Sequence, residues 1–311
     1  MSNCLLCYQP CDEGSAETHE RCARKFYRGA AEPRLPVQLG DLPELAKSHV
    51  RDRVAISGVQ KKLSLRLDKT SAARRKLTIV GFDGDFILKA PSDEYPELPE
   101  LEDATMHMAE ACGITVVPHG LCRFLSGEFA YLARRVDRMP MGEKIPMEDC
   151  CQIAGKMMEQ KYHGSVEQVG KLIHRYSVAP GLDRVNFFEV LLFCFLTGNA
   201  DMHLKNFSLL RVPEGHRLAP AYDLLPTALL LSGDDEDSAL TVDGRKKNLT
   251  RRAFLRAAST MGLPDSAARN AIGYMLDRMP AAMALLRRSF VSPGTIDRYE
   301  QLVTERMGRL R

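Results

Sequence analysis

The sequence lacks a long apolar run and has little net charge, and each absence narrows the class of protein. Its longest largely apolar stretch covers about eleven residues, whereas a membrane-spanning helix needs about 18. The first residues show no basic segment followed by an apolar one, so we expect a soluble, cytoplasmic protein without a membrane partner. A net charge of +3 does not by itself indicate nucleic-acid binding. No helix-turn-helix pattern or basic stripe is present, so DNA contact is expected only through a partner protein.

The composition is that of an ordinary globular chain, with 45% hydrophobic and 27% charged residues, and 311 residues suit two lobes. Short β-branched and alternating runs between residues 50 and 136 predict antiparallel strands, interrupted by one helix at 98–113. The pattern after residue 146 is mainly helical. We therefore predict an α+β chain. Its expected parts are a Cys/His-rich segment at 1–27, a β-rich lobe at 28–136 and a helical lobe at 137–311.

Three expectations concern the helical part. The segment MEDCCQIAGKMMEQ, at 147–160, is predicted to be helical. The strongly apolar segment at 183–197 is predicted to be a buried helix. The acidic run at 234–237 is interpreted as a solvated loop.

Nine cysteines are present, and an odd count without a signal peptide favours reduced thiols or a metal site over disulfides. Cys4 and Cys7 form a C-x2-C pair, and His19 and Cys22 form an H-x2-C pair. Two tight pairs joined by a loop supply the four ligands of a tetrahedral zinc site. We interpret this zinc as structural, because four protein ligands leave no open position. Two alternatives stay open: Cys11 replaces one ligand, or the thiols are reduced cysteines in a small cap.

Two segments of the β-rich part carry features of a phosphate-binding site. In AISGVQKKLSL a glycine turn joins two strands, so backbone amides there could cover phosphates. The residues of this turn are Ser57, Gly58, Val59 and Gln60. In DFILKAP, Lys89 ends a strand and offers a positive charge to a nucleotide, with Glu102 or Asp103 as equivalent candidates for its acidic partner. A plain hairpin with a basic tip and an ordinary surface lysine are the alternatives.

The segment GNADMHLKN places polar side chains directly after an apolar helix. Asp201 and Asn206 have the spacing by which a kinase catalytic loop positions a hydroxyl-accepting Asp and a metal-binding Asn. Asp223 follows a short apolar strand and suits a second metal ligand, because Mg²⁺ prefers carboxylate and amide oxygens. Lys205 could neutralise a transferring phosphoryl group. We interpret His203 as a structural histidine that braces the loop.

Four segments, taken in order, resemble the HipA-type serine/threonine kinases of bacterial toxin–antitoxin systems: ISGVQKKLSL, FILKAPS, TGNADMHLKNFSLL and PAYDLLPT. The similarity is greatest to the short members, called HipT, which also begin with a cysteine-rich segment. The resemblance implies a two-lobed protein-kinase-like fold that binds ATP and Mg²⁺. It makes Asp201 the catalytic base, Asn206 and Asp223 the Mg²⁺ ligands, and Lys89 the lysine that contacts the ATP phosphates.

The resemblance also implies how the nucleotide is held and controlled. The segment YLARRVDR matches the family's hinge, so backbone groups of Arg134 and Val136 should meet the adenine, and we include His203 among the residues near the nucleotide. Family members carry serine at one or both outer positions of a three-residue stretch before the loop glycine. This chain has Ala55-Ile56-Ser57 there, so Ser57 is the expected autophosphorylation site.

The implied partners follow from the same family. An aminoacyl-tRNA synthetase would be the protein substrate, and its phosphorylation would arrest translation. Longer relatives carry an extra N-terminal subdomain, so a separate small protein is expected to supply it as an antitoxin, beside a DNA-binding partner. Two other functions are weighed against this one: a non-catalytic scaffold of kinase fold, and a small-molecule kinase. Retention of Asp201, Asn206, Asp223 and Lys89 favours an enzyme over a scaffold.

Overall fold

The computed structural model describes residues 3–11, 17–29, 31–42, 44, 62–68, 76–80, 84–139, 142–231 and 235–311. The chain divides into two compact units. Unit 1 comprises Met1–Ala104, Val117–Lys144 and Arg288–Val291, and unit 2 comprises Thr105–Val116, Ile145–Arg287 and Ser292–Arg311. No helix in the described ranges combines the length and the apolar character that a membrane crossing requires.

Unit 1 is built on an antiparallel sheet. Over the described ranges its strands are β1 (Lys62–Asp68), β2 (Lys76–Val80), β3 (Phe86–Lys89), β4 (His119–Arg123) and β5 (Phe129–Arg134), in the order β2-β1-β3-β5-β4. The alternation of β1 turns Leu65 and Leu67 into the core, and Leu65 pairs with Phe86 on β3. The short helix α1 (Glu20–Phe26) covers this core, with the Phe26 ring 5.6 Å from the Phe86 ring.

Unit 2 is mainly helical. Its described helices are α3 (Cys150–Ile153), α4 (Val166–Tyr176), α5 (Pro180–Thr197), α6 (Arg251–Thr260), α7 (Asp265–Leu286) and α8 (Pro293–Leu310), and α2 (Leu98–Ala111) spans the boundary with unit 1. The strands β6 (Met147–Asp149), β7 (Ser208–Val212) and β8 (Gly215–Leu218) form a second antiparallel sheet in the order β6-β7-β8.

Helix α5 is the centre of unit 2. It packs against α4, α7 and α8, which explains why apolar side chains surround it on most faces. Pro180 occupies the first helical turn, and Gly198 ends the helix with a φ of +74° that favours glycine. A Cβ atom at Gly198 would lie 2.6 Å from the Leu302 side chain. The helix therefore ends at Thr197, and the polar segment 199–206 begins directly after Gly198.

The predicted α+β composition is present, but one predicted helix is wrong. Residues 147–160 form β6, the short helix α3 and a 3-10 turn at Met158–Gln160 instead of one helix. The cause is a capping box. The Asp149 carboxylate accepts the Gln152 N–H at 2.9 Å, and the Gln152 side chain returns to the Asp149 N–H at 3.1 Å. This reciprocal cap starts a new helix directly after a strand.

The interpretation of 234–237 as a solvated loop is wrong for its last residue. The Asp237 side chain is only 6% exposed and contacts two arginines of α8. Arg309 donates to it through both terminal nitrogens, and the Leu249 N–H adds a bond of 2.9 Å. Asp235 is 74% exposed, where it pairs with Lys247. The acidic run therefore contains one buried anchor for the C-terminal helix.

Candidate functional site

The segment after α5 is held by side chains of its own neighbourhood. Asn199 is buried, and its side-chain oxygen accepts the Asp201 N–H at 3.3 Å while its amide nitrogen donates to the Asp223 carbonyl at 3.3 Å. The Thr227 hydroxyl accepts the Ala200 N–H at 2.9 Å. These bonds fix the backbone at Ala200 and Asp201. The sequence analysis did not identify Asn199 and Thr227 as residues of this site. The only available signal was Gly198, which indicates that the chain turns directly before Asn199.

Asn206 and Asp223 come together from positions seventeen residues apart. The Asn206 amide nitrogen lies 3.2 Å from Asp223 Oδ2, and the Asn206 side-chain oxygen accepts the His203 N–H at 3.1 Å. Asp223 has a φ of +58°, a left-handed conformation that is uncommon for residues other than glycine. Strained backbone of this kind clusters at functional sites, where the surrounding structure maintains it. The pair offers an amide and a carboxylate side by side.

Asp201 is exposed at the start of this loop. The Tyr162 hydroxyl donates to Asp201 Oδ1 at 2.7 Å, and the Tyr162 ring contacts the His203 ring edge to face at 5.1 Å between centroids. Partial burial and this bond to a carboxylate raise the pKa of Tyr162 well above its ordinary value. Tyr162 therefore stays a hydrogen-bond donor to Asp201. Tyr162 lies 39 residues before Asp201, and no sequence pattern indicated that the two side chains meet.

His203 is buried, and burial lowers the pKa of its imidazole, against the opposing effect of the Asp201 charge. The ring is therefore neutral near pH 7. Its Nδ1 atom is buried and makes no hydrogen bond within the part of the chain that the structure describes. The backbone of His203, by contrast, bonds Asn206 in both directions, with its carbonyl accepting the Asn206 N–H at 3.0 Å. Its role as a brace stays a prediction.

Lys205 lies on the same short 3-10 helix, Leu204–Asn206. Its ammonium group lies 2.8 Å from the Asp149 carboxylate, the residue that caps α3. The Lys205 carbonyl accepts the Tyr222 hydroxyl at 3.0 Å, and this hydroxyl is also 2.6 Å from Ser208 Oγ. Tyr222, the residue directly before Asp223, thus ties the loop to the segment that carries Asp223.

In unit 1, Lys89 forms a buried ion pair with Glu102 of α2. Of the two candidate acids, Glu102 is therefore the partner of Lys89. Asp103 points elsewhere: its carboxylate accepts the Tyr8 hydroxyl at 2.7 Å and lies 2.7 Å from His119 Nδ1. The Lys89 ammonium also lies 5.3 Å from the centre of the Tyr131 ring. A buried lysine held by a carboxylate and a ring has a fixed position.

The remaining predicted residues are placed as follows. Arg134 ends β5, and its N–H donates to the Pro118 carbonyl at 2.8 Å while its guanidinium reaches the Phe26 carbonyl at 2.9 Å. Val136 lies in the turn that follows. The predicted phosphate-loop residues Ser57, Gly58, Val59 and Gln60 lie outside the described residues. Cys4, Cys7, His19 and Cys22 are brought together, with their ligand atoms within 4.8 Å of one another.

Comparisons with known proteins agree with the resemblance found in the sequence. The model of the family described as HipA-like C-terminal domain matches residues 54–283. "Putative kinase Y4dM" of Sinorhizobium fredii is 33% identical over 213 residues, which are 63% of this chain and 50% of that protein. "Serine/threonine-protein kinase toxin HipA" of Shewanella oneidensis is 27% identical over 256 residues, 75% of this chain and 57% of that one. The chain thus spans about half the length of these curated relatives.

Solved structures show the fold. A chain of the Shewanella oneidensis MR-1 complex of HipA, HipB and operator DNA matches with a TM-score of 0.71 at 21% identity, covering 89% of this chain and 71% of that one. The Helicobacter pylori proinflammatory kinase CtkA matches with a TM-score of 0.56 at 16% identity, covering 79% and 93%. The predicted α+β, HipA-like kinase fold is confirmed.

Proposed function

Because this chain belongs to the HipA-like C-terminal domain family, we propose that it is an ATP-dependent serine/threonine protein kinase that acts as the toxin of a toxin–antitoxin system. The observation that carries the proposal is the approach of Asn206 to Asp223, at 3.2 Å, on a loop that begins with Asp201. Kinase catalytic sites need a hydroxyl-accepting carboxylate beside a pair of hard metal donors. The names of the relatives, kinase and kinase toxin, support the same activity.

Asn206 and Asp223 are the residues that would hold Mg²⁺. Their donor set fits, since an amide oxygen and a carboxylate suit a hard cation. The Asn206 oxygen accepts one hydrogen bond from the His203 N–H, which leaves its second lone pair for a ligand. When bound, Mg²⁺ neutralises charge on the ATP phosphates and orients them. Asp223, whose backbone is left-handed, accepts a hydrogen bond from the Asn206 side chain, so the two groups lie side by side.

Asp201 would orient the substrate hydroxyl and take its proton. In the transfer, the hydroxyl oxygen bonds to the γ-phosphorus, the bond from that phosphorus to ADP breaks, and the hydroxyl proton passes to the Asp201 carboxylate. The Tyr162 hydroxyl donates a hydrogen bond to Asp201 Oδ1. The Asp201 carboxylate is therefore placed where it accepts hydrogen bonds from hydroxyl groups, and a substrate hydroxyl could donate to it in the same way. Lys205 would neutralise the transferring group, which requires its ammonium to leave or share the Asp149 carboxylate.

The residues of unit 1 would bind ATP. The buried Lys89–Glu102 pair supplies a fixed positive charge for the phosphates, as the equivalent pair does in protein kinases. Backbone groups of Arg134 and Val136 would meet the adenine, and the turn from Ser57 to Gln60 would cover the phosphates. Ser57 would be the autophosphorylation site. A phosphate there would repel the nucleotide and reduce activity.

The partners are part of the proposal. We expect a cytoplasmic protein whose substrate is an aminoacyl-tRNA synthetase, neutralised by a small antitoxin that resembles the N-terminal subdomain of longer relatives. DNA would be reached only through a DNA-binding partner. The Shewanella oneidensis structure, a complex of HipA with HipB and operator DNA, supports such an assembly.

The test uses purified chain, labelled ATP, Mg²⁺ and cell lysate, with Asp201→Asn as the matched control. We expect a labelled protein band that mass spectrometry identifies as a synthetase and that is absent with the control variant. Labelling of a small metabolite alone would replace the proposal with a small-molecule kinase. No labelling by a chain that binds ATP would favour the scaffold.

A further inference from the structure

The N-terminal Cys/His cluster has no part in the proposed kinase chemistry. We infer that Cys4, Cys7, His19 and Cys22 bind a structural zinc ion, and that this ion holds Tyr8 in the position where its side chain anchors Asp103 of α2. The site belongs wholly to unit 1. The zinc site is independent of the proposed function. Its effect on α2 has a functional consequence only if Lys89 and Glu102 serve ATP.

The distances within the cluster fit tetrahedral zinc. His19 Nδ1 lies 3.5 Å from Cys7 Sγ and 3.9 Å from Cys22 Sγ. A tetrahedral zinc ion with sulfur at about 2.3 Å and nitrogen at about 2.0 Å separates sulfur and nitrogen by about 3.5 Å. The thiols are free cysteines, and all four ligand atoms lie within 4.8 Å of one another. The side chains thus converge on one point without a disulfide.

The surroundings of the ligands are those of a metal site. His19 Nε2 lies 3.0 Å from the Pro10 carbonyl, so this nitrogen carries the proton and Nδ1 presents its lone pair to the cluster. The His19 N–H donates to Cys4 Sγ at 3.4 Å, a backbone hydrogen bond that orients this sulfur within the cluster. Cys11 lies outside the cluster, with its sulfur 3.9 Å from the Glu17 carbonyl. The structure thereby favours the four-ligand set without Cys11.

Tyr8 follows the C-x2-C pair directly and has a φ of +56°. Glycine would adopt this left-handed conformation without strain, so tyrosine needs a compensating contact. Its hydroxyl donates to Asp103 Oδ2 at 2.7 Å, and its ring meets the Phe290 ring edge to face at 5.6 Å. Tyr8 is fully buried. The strained position is therefore maintained by contacts that reach from the cluster to α2.

The turn that carries Tyr8 is also attached to the sheet. The Leu121 N–H of β4 donates to the Leu5 carbonyl at 3.1 Å. At Gly120 a Cβ atom would lie 2.2 Å from the Leu6 side chain, so this turn approaches the strand closely. His119, at the start of β4, contacts the other oxygen of Asp103 at 2.7 Å. Asp103 is thus held from the turn and from the strand.

The neighbour of Asp103 is Glu102, which forms the ion pair with Lys89. Fixing Asp103 fixes the rotation of the first part of α2, because adjacent residues on a helix keep a constant angle. Loss of zinc would make the turn at 4–8 mobile. Tyr8 would then no longer be held in place, and its hydrogen bond to Asp103 would be lost. Glu102 is therefore positioned by a metal that touches neither it nor the nucleotide.

The first experiment measures metal in the full-length chain purified without chelator. We expect about one equivalent of zinc by mass spectrometry of the metal, reduced at least several-fold in Cys7→Ser and in Cys22→Ser. Cys11→Ala is the matched control and should keep the full equivalent. A wild-type chain that carries no zinc, and takes up none when zinc is added, would overturn the site even if the cysteine variants fail to fold.

The second experiment tests the link to α2 by hydrogen exchange, which needs no kinase activity. In the wild type, a strong zinc chelator should increase amide exchange several-fold at 98–104 and leave α7 unchanged. Tyr8→Phe keeps the ring and the zinc but loses the hydroxyl, so exchange at 98–104 should already be fast and should change little on chelation. Unchanged exchange at 98–104 in chelated wild type would overturn the positioning role.

Discussion

Asn199 links the proposed catalytic base to the proposed metal ligand: it accepts from the Asp201 N–H and donates to the Asp223 carbonyl, each at 3.3 Å. It touches neither ATP nor substrate in the proposed mechanism. Its side chain is 2% exposed, so water does not replace these bonds when they are lost. The geometry of the two proposed functional residues therefore depends on a third residue that has no proposed chemical role.

Replacing Asn199 tests this dependence. We expect Asn199→Ala to lower turnover by about 10–100-fold, the usual effect of removing a residue that orients metal ligands. The variant should also lose about 1–3 kcal/mol of stability, because buried partners are left unsatisfied. Phosphate transfer and chemical unfolding measure the two effects. Unchanged turnover in a destabilised variant would show that Asn199 is only structural.

The acidic run offers a matched pair of variants for stability. Asp237→Asn should lower the free energy of unfolding by about 3 kcal/mol, because it leaves the arginines of α8 without their buried anion. Asp235→Asn, two residues away, should change it far less, because Asp235 and its partner Lys247 are both exposed and water screens their attraction. Urea unfolding of both variants measures the difference. Equal effects would mean that Asp237 does not anchor the C-terminal helix.

Glu100 predicts a pH dependence of stability in unit 1. Burial raises the pKa of Glu100 to about 7 from its ordinary 4.5, and its Oε2 atom is buried without a hydrogen bond in the described part of the chain. Between these values the folded chain keeps a proton that the unfolded chain releases. The free energy of unfolding therefore falls as pH rises through this window, and the loss is complete above pH 7.

The comparison of wild type with Glu100→Gln isolates this residue, because other titrating groups are common to both chains. From pH 5 to pH 8 the wild type should lose about 2 kcal/mol relative to the variant, after allowance for partial solvation. Urea unfolding at each pH measures this difference. Parallel pH profiles for the two chains would show that the Glu100 carboxyl ionises as it does in water.

The sequence predicted local features better than long-range ones. The apolar segment 183–197 predicted a buried helix, which the structure shows at Pro180–Thr197, and the spacing of Asp201, Asn206 and Asp223 led us to expect that they act together. The structure brings Asn206 and Asp223 into contact, while their metal binding stays a prediction. Asn206 ends a short turn of the loop and Asp223 lies shortly after β8, so their proximity depends on nearby segments of the chain.

Other features depend on the direction of a side chain in the folded chain. Glu102 and Asp103 are neighbours on a helix and point about 100° apart, so only packing decides which one meets Lys89. Asp237 is buried because Arg309 returns to it from the last helix. Tyr8 and Asp103, which form a hydrogen bond, are 95 residues apart in the sequence. No periodicity or spacing in the sequence encodes such contacts.

The most direct test of the proposed function measures ATP binding and phosphate transfer by Asp201→Asn beside Asp223→Asn. Asp201→Asn is nearly isosteric, so ATP affinity in Mg²⁺ should stay within a few-fold. Its transfer rate should fall by about 10²–10⁴-fold, because a carboxamide does not accept the hydroxyl proton. Asp223→Asn should lose metal-dependent ATP binding as well, because it removes the charge of a metal ligand. Full transfer activity in Asp201→Asn, or loss of its ATP binding, would contradict the assignment of Asp201 as the base.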